Sequence, residues 1–309
     1  MSRDHVAVID IGKTNAKLAL VRVSDLAEIE VVTRPNTVLP GPPYPHFDVD
    51  GHWAFILEHL ARFHATHGVS AISVTTHGAA AALLDRHGNL AAPILDYEYA
   101  GVEASAQAYD ALRPPFSETG SPRIAAGLNL GAQLHWQLTT LPGLRDTLRH
   151  VVTYPQFWGY RLTRQLATDV TSLGCHTDIW NPFEGCFSAL PQALGISDIL
   201  APPMTPADIL GRLTPQIAHT TGLAQTTPVR AGIHDSNASL LPHLLGRTPP
   251  FSVVSTGTWV IAMGVGATPK PLDPTRDTLV NVNALGNPVP SARFMGGREH
   301  DLALGPARV

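Results

Sequence analysis

The sequence predicts an α/β protein with two domains, and three observations carry that prediction. Short apolar runs with the length of strands flank a stretch of helical periodicity in the first hundred residues. The 309 residues suffice for roughly two domains of ~150 residues each, with a cleft between them. A strand, a turn carrying glycine and threonine, and a second strand occur at residues 6–23 and again at 251–264. No strict repeat joins the two, so the echo is one of architecture. The division expected is residues 1–246 and 251–309, with Arg247-Thr248-Pro249-Pro250 as the linker.

Each element has its own warrant. Residues 6–9 are an apolar run, Gly12 permits a reversal, and residues 17–23 return as a second strand. Residues 28–34 alternate as a third strand, and a proline-rich loop follows to Pro45. Trp53, Ile56, Leu57, Leu60 and Phe63 recur at helical spacing, which predicts a helix over 52–67 with Asp50 as its N-cap and Gly68 as its stop. Residues 69–76 are β-branched and apolar, and 80–84 and 90–95 flank a turn at Asp85-Arg86-His87-Gly88. From Gly101 the pattern turns helical, over 102–112 and 131–141, then around 157–162 and 188–194, with short strands at 151–154 and 167–170. Residues 229–233 form a short strand that runs into His234-Asp235-Ser236-Asn237 and a helix through Leu245 containing Pro242. Strands at 251–255 and 260–264 then enclose Thr256-Gly257-Thr258.

Composition narrows the function classes. With 44% hydrophobic and 15% charged residues the chain can bury a core and is not a disordered polyelectrolyte. A formal charge of −4 without basic runs argues against a nucleic-acid or anionic-membrane partner. No run of 18 apolar residues and no signal peptide is present in the sequence, so a cytoplasmic location is expected. Cys175 and Cys186 are the two cysteines, too few for a disulfide scaffold, and both are expected as free thiols.

The residues with chemical potential sit at element ends. Asp10 closes a strand and precedes a turn bearing Lys13, Thr14 and Asn15, a combination able to hold a hydrated cation and offer backbone N–H groups to phosphates. Such a turn is more often merely structural. Asp235, at a strand-to-helix junction, can cap the helix or face a cleft as a general base. The Thr256 to Thr258 turn is on its own an ordinary hairpin. Two such hairpins facing each other across a cleft could hold a polyphosphate from both sides. His59, His64 and His67 share a helix without a carboxylate to complete a metal set, and Trp136 at helical spacing reads as core before sugar-stacking platform.

Taken in order, these segments resemble the FGGY family of carbohydrate kinases, within the wider group of actin and hexokinase with ribonuclease H-like folds. The matching residues are Asp10-Ile11-Gly12-Lys13-Thr14-Asn15, Thr75-Thr76-His77-Gly78, Thr168-Asp169-Val170-Thr171-Ser172, Gly232-Ile233-His234-Asp235 and Ser255-Thr256-Gly257-Thr258-Trp259. The pairing of His234-Asp235 with Gly257-Thr258-Trp259 looks most like the rhamnulokinase branch, whose members phosphorylate a 6-deoxy ketose such as L-rhamnulose or L-fuculose. The resemblance implies ATP and Mg²⁺, with Asp235 as general base and Asp10 holding the ion through water. It implies that Gly12, Lys13, Thr14, Asn15, Thr256, Gly257 and Thr258 cradle the phosphates, and that His77, Gly78, Asp96, Glu98 and Asp235 meet the sugar.

Two departures qualify the resemblance. Family members often carry a tryptophan with a downstream Asp and Arg where this chain reads Leu95-Asp96-Tyr97-Glu98-Tyr99, so sugar contacts do not transfer directly. Members also run well past the point where this sequence stops, so the second domain is expected to be truncated. A half-built domain would expose core surface, which a homodimer could cover. Two rival readings follow: a non-catalytic sugar-binding or regulatory fragment lacking the adenine site, and an actin-like or chaperone-like nucleotide switch, which would not need the His77 and Asp235 segments.

Overall fold

Strict alternation of buried and accessible residues builds the first strand pair. In the computed structural model, which describes residues 4–256, 259–266, 268 and 271–304, β1 (His5–Ile11) and β2 (Asn15–Arg22) run antiparallel with Asp10 opposite Lys17. Ala7, Ile9 and Ile11 of one strand and Ala16, Leu18 and Leu20 of the other are fully buried, as a period of two demands. β3 (Glu28–Pro35) continues the meander. α1 (Val49–His67) packs Phe55, Ile56, Leu60 and Phe63 into the core under this sheet. Its N-cap is Asp48, not the expected Asp50: Asp48 accepts from Gly51 N at 2.9 Å and is held by Arg34 at 2.8 Å. That arginine lies on β3, a partner that only the folded chain supplies.

β4 (Ala71–Thr76) then lies parallel to β1. β5 (Ala81–Leu84) and β6 (Leu90–Ala92) form the expected hairpin and, with β7 (His150–Thr153), a separate three-stranded antiparallel sheet. α2 (Leu130–Thr140) is buried along most of its length, in a second core that includes Tyr109, Leu134, Trp136, Val151 and Trp180. The helix expected over 102–112 is instead a 3₁₀ turn at Ala100–Ser105 and a short helix at Ala106–Asp110. α3 (Tyr154–Thr163) and α4 (Val170–Leu173) lead to β8 (Ile209–Arg212) and α5 (Pro215–Thr221), which the sequence pattern left unassigned. β9 (Pro228–Arg230) and β10 (Ile233–His234) both pair parallel with β4, completing a seven-stranded sheet in the order β8-β9-β4-β1-β2-β3, with β10 on β4.

α6 (Asp235–Gly246) leaves this sheet. β11 (Phe251–Thr256), β12 (Val260–Val265), β13 (Thr278–Val282) and β14 (Pro288–Phe294) make a four-stranded antiparallel sheet ordered β11-β12-β14-β13, followed by α7 (Gly296–Leu304). Edge strand β13 is embedded in what precedes it. Val282 is fully buried within the second core, and Val280 N donates to Gly120 O at 2.9 Å. Gly174 makes room for it, since a Cβ there would lie 2.2 Å from Val282 Cγ2.

Candidate active site

Three segments distant in sequence end on one row. Asp10 stands opposite Thr75, and Thr75 opposite Ile233; one residue on, Ile11, Thr76 and His234 align in the same way. Gly12, His77 and Asp235 therefore step together off the carboxyl ends of three parallel strands. That edge is where open α/β sheets bind ligands, because the chain leaves the sheet there with free backbone groups and room for loops. His77 N donates to Ile11 O at 2.9 Å, so the row is stitched one residue past the strands.

The first turn is pinned from below. Gly12 N donates to Asn15 O at 2.9 Å, and Asn36 holds the turn twice, donating Nδ2 to Gly12 O at 2.8 Å and its backbone N to Thr14 O at 2.9 Å. Asn36 Oδ1 in turn accepts from His52 Nε2 at 2.7 Å. Burial, with the Arg34 guanidinium nearby, lowers the His52 imidazole to about 4, so it is a neutral donor on α1. Neither Asn36 nor His52 carries a signal in the sequence, because their meeting depends on how α1 packs across the sheet.

Asp235 is the first residue of α6 and its side chain is 43% exposed. Its Oδ1 accepts from Ser236 N at 2.6 Å and lies 3.1 Å from His234 Nε2. His234 is buried and braced on several sides. Its backbone N donates to Thr171 Oγ1 at 3.0 Å, and Thr171 Oγ1 donates to Asp169 Oδ1. Asp169, fully buried, also accepts from Thr171 N at 2.9 Å and Ser172 N at 3.0 Å as the cap of α4. The Thr168 to Ser172 segment thus reaches the site through His234. Burial opposes charge on the His234 imidazole, yet the Cys175 sulfur and the Asp235 carboxylate beside it prevail and raise it. Gly78 is required on the other side: a Cβ there would stand 2.7 Å from His234 Nε2. His234 itself was absent from the expected site residues.

Asp10 is partly buried at the end of β1. Burial lifts its carboxyl above the usual range, Lys17 pulls it back, and the Asp235 carboxylate adds to the lift. Two carboxylates bear on each other here across the strand ends. Among the described residues no group of three or more His, Cys, Asp or Glu side chains forms a metal cage, and His59, His64 and His67 give none; His64 Nδ1 accepts from Val69 N at 3.1 Å instead.

The remaining expected residues divide. Lys13, expected to neutralise phosphate charge, is bonded to Asp96 Oδ1 and stands 3.5 Å from Glu98 Oε2. Its neighbours are aromatic, with the Tyr97 and Phe47 ring centroids at 4.9 and 5.3 Å. His77 is packed against Phe47, Tyr97 and Tyr154, and burial lowers it to about 4. Its Nδ1 donates to Gly78 O at 2.8 Å, and its Nε2 is buried without a hydrogen-bond partner among the described residues. Thr256 is exposed at the end of β11, while Gly257 and Thr258 lie outside the described residues. Trp136 is core, edge-on to Tyr44 and Tyr99 at 5.6 and 5.5 Å. Cys175 is buried and Cys186 exposed, both free thiols.

The family model of the "FGGY family of carbohydrate kinases, N-terminal domain" matches residues 5–242, and that of "Carbohydrate kinase FGGY, C-terminal domain" matches residues 248–308. A carbohydrate kinase from Novosphingobium aromaticivorans superposes with a TM-score of 0.91 at 40% identity, over 100% of this chain and 67% of that one. A xylulose kinase from Rhodospirillum rubrum (TM-score 0.78, 23% identity) and a gluconate kinase from Lactobacillus acidophilus (TM-score 0.80, 16% identity) each match over 94% of this chain and share the fold. This chain spans 61% and 59% of their lengths, respectively. No curated protein matches the sequence. The two matched regions, the convergence of Asp10, His77 and Asp235 on one strand row, and the 40% identical structure have one common explanation: the chain belongs to the FGGY family of carbohydrate kinases and has its two-domain, actin- and hexokinase-like fold.

Proposed function

We propose that this protein transfers the γ-phosphoryl group of ATP to a hydroxyl of a sugar, with Asp235 as the general base. The observation that carries the reading is the single row of strand ends from which the Asp10 turn, His77 and Asp235 project. Phosphoryl transfer asks a protein chiefly for positioning and charge compensation, and a rigid sheet edge supplies positioning. Asp235, half-exposed and oriented by His234, would take the proton of the attacking hydroxyl. The Gly12 to Asn15 turn, held in shape by Asn36, would present backbone N–H groups and the Thr14 hydroxyl to the phosphates. A 12-residue helix α6 carries the chain about 18 Å from Asp235. The six residues of β11, which pack against α6, span about 20 Å. That return would bring Thr256 back toward the first turn.

The donor set fits Mg²⁺. Burial raises the Asp10 carboxyl and the charge of Asp235 adds to the lift, so a cation would be favoured there, and one or two carboxylates with retained water is how this ion is usually held. When bound, the ion would neutralise charge on the transferring phosphates. Asp10 would hold it.

The substrate we favour is a ketose, with L-rhamnulose and L-fuculose as first candidates from the pairing of His234-Asp235 with Gly257-Thr258-Trp259 in the sequence. The buried, neutral His77, with a free acceptor at Nε2, suits a sugar hydroxyl as donor. A coupled ATPase screen over ketoses and polyols, repeated with Asp235→Asn, tests the proposal. The substitution is expected to lower turnover by about 10³-fold while calorimetric sugar affinity stays near wild type. Retained turnover would remove Asp235 from its role, and sugar binding without Mg-ATP affinity would favour a binding module instead.

A further inference from the structure

The lysine of the first turn is held apart from the turn's other polar groups. Its ammonium is bonded to Asp96, lies 3.5 Å from Glu98 Oε2, and faces the Tyr97 and Phe47 rings. The His77 ring is 5.3 Å from Tyr97 and 4.8 Å from Phe47, so Lys13, Asp96, Tyr97 and His77 form one continuous patch. Asp235 acts on the same patch, since its charge bears on both His77 and Tyr97. An ammonium that serves nucleotide phosphates must be free to reach them. Here a carboxylate of low exposure and two ring faces already satisfy it.

Building on the sugar-kinase reading, we infer that Lys13 and Asp96 are a specificity-determining pair on the sugar side of the site, selecting a neutral polyhydroxyl substrate over one that bears a carboxylate. A sugar hydroxyl can donate to Asp96 and accept from Lys13 at once, leaving the charge balance of the pair intact. A carboxylated sugar would have to compete with Asp96 for the ammonium. It would do so facing two further carboxylates, of Glu98 and Asp235, and like charges at short range oppose its entry. Neutralising Asp96 removes the competitor and leaves Lys13 available to the incoming carboxylate.

The test compares D-xylulose with D-gluconate by calorimetry on the full chain, without nucleotide, for wild type, Asp96→Asn and Lys13→Met. Asp96→Asn keeps the side chain's shape and an oxygen able to accept from Lys13 and from Glu98 N, now bonded to it at 3.2 Å. Wild type is expected to bind xylulose at least about tenfold more tightly than gluconate, and Asp96→Asn to shift that ratio about tenfold toward gluconate. Lys13→Met should weaken xylulose binding severalfold and, in the coupled assay, leave the KM for ATP within about twofold. An unchanged ratio in Asp96→Asn overturns the inference, as does a Lys13→Met variant that raises the KM for ATP and spares sugar binding. Failure of wild type to bind either probe, L-rhamnulose or L-fuculose would sink the sugar-kinase reading itself, a result distinct from an unchanged ratio.

Discussion

Residues of one type serve opposite ends here, and burial decides which. His52 and His77 are both held neutral by desolvation, with values near 4 in the fold against an ordinary 6.5, whereas His234 is raised by the carboxylate and sulfur beside it. The neutral pair has a consequence for stability. Between pH 6.5 and 4 the unfolded chain protonates these imidazoles while the folded chain resists, so the unfolded state binds more protons and stability rises with pH through that window. The urea midpoint is therefore expected to be lower at pH 5 than at pH 7, and His77→Gln should reduce the difference. Equal midpoints in wild type would contradict it. At this scale the sequence was legible for position: Asp10 stands at the end of β1 and Asp235 at a strand-to-helix junction, as their local patterns place them. It marked His234 only as the neighbour of Asp235 and gave it no role, because that depends on Thr171, Asp169 and Gly78 closing around it.

Among the elements, the strands with plain alternation were readable and those defined by their partners were not. β1, β2, β3 and β4 lie where apolar runs placed them. β13 and β14 follow no run that stands out, because their apolar residues answer to the second core and to each other. Cap choice shows the same dependence, with Asp48 preferred over Asp50 because Arg34 of β3 reaches it. The clearest coupling between elements is the chain from His52 on α1 through Asn36 to Gly12 O. Replacing Asn36 by Leu leaves the His52 donor and the Gly12 acceptor unpaired, at a cost of about 1–3 kcal/mol. A lower Tm is expected, together with a raised KM for ATP and an unchanged KM for sugar. A fall in Tm alone would separate the turn's shape from nucleotide binding.

For the molecule as a whole, the question is how its four-stranded sheet is joined to the residues that precede it. β13 belongs to the four-stranded sheet by hydrogen bonding and to the preceding residues by packing, through Val282 and the Val280 bond to Gly120. Val282→Ala should cost about 2 kcal/mol by leaving a cavity in the second core. If the joint holds both parts in one cooperative unit, wild type melts in a single transition and the variant shows two. Two transitions in wild type would mean that β13 adds little. Read alone, the sequence determined the strand and helix runs of the first hundred residues, the turn that follows Asp10 and the resemblance to FGGY kinases, because these depend on local pattern and on residues that chemistry keeps together. The tertiary structure alone decided that Asp10, Thr75 and Ile233 share a row, that Lys13 turns to Asp96, and that His234 stands behind Asp235. Register and packing between distant segments set those meetings, and no local pattern encodes them.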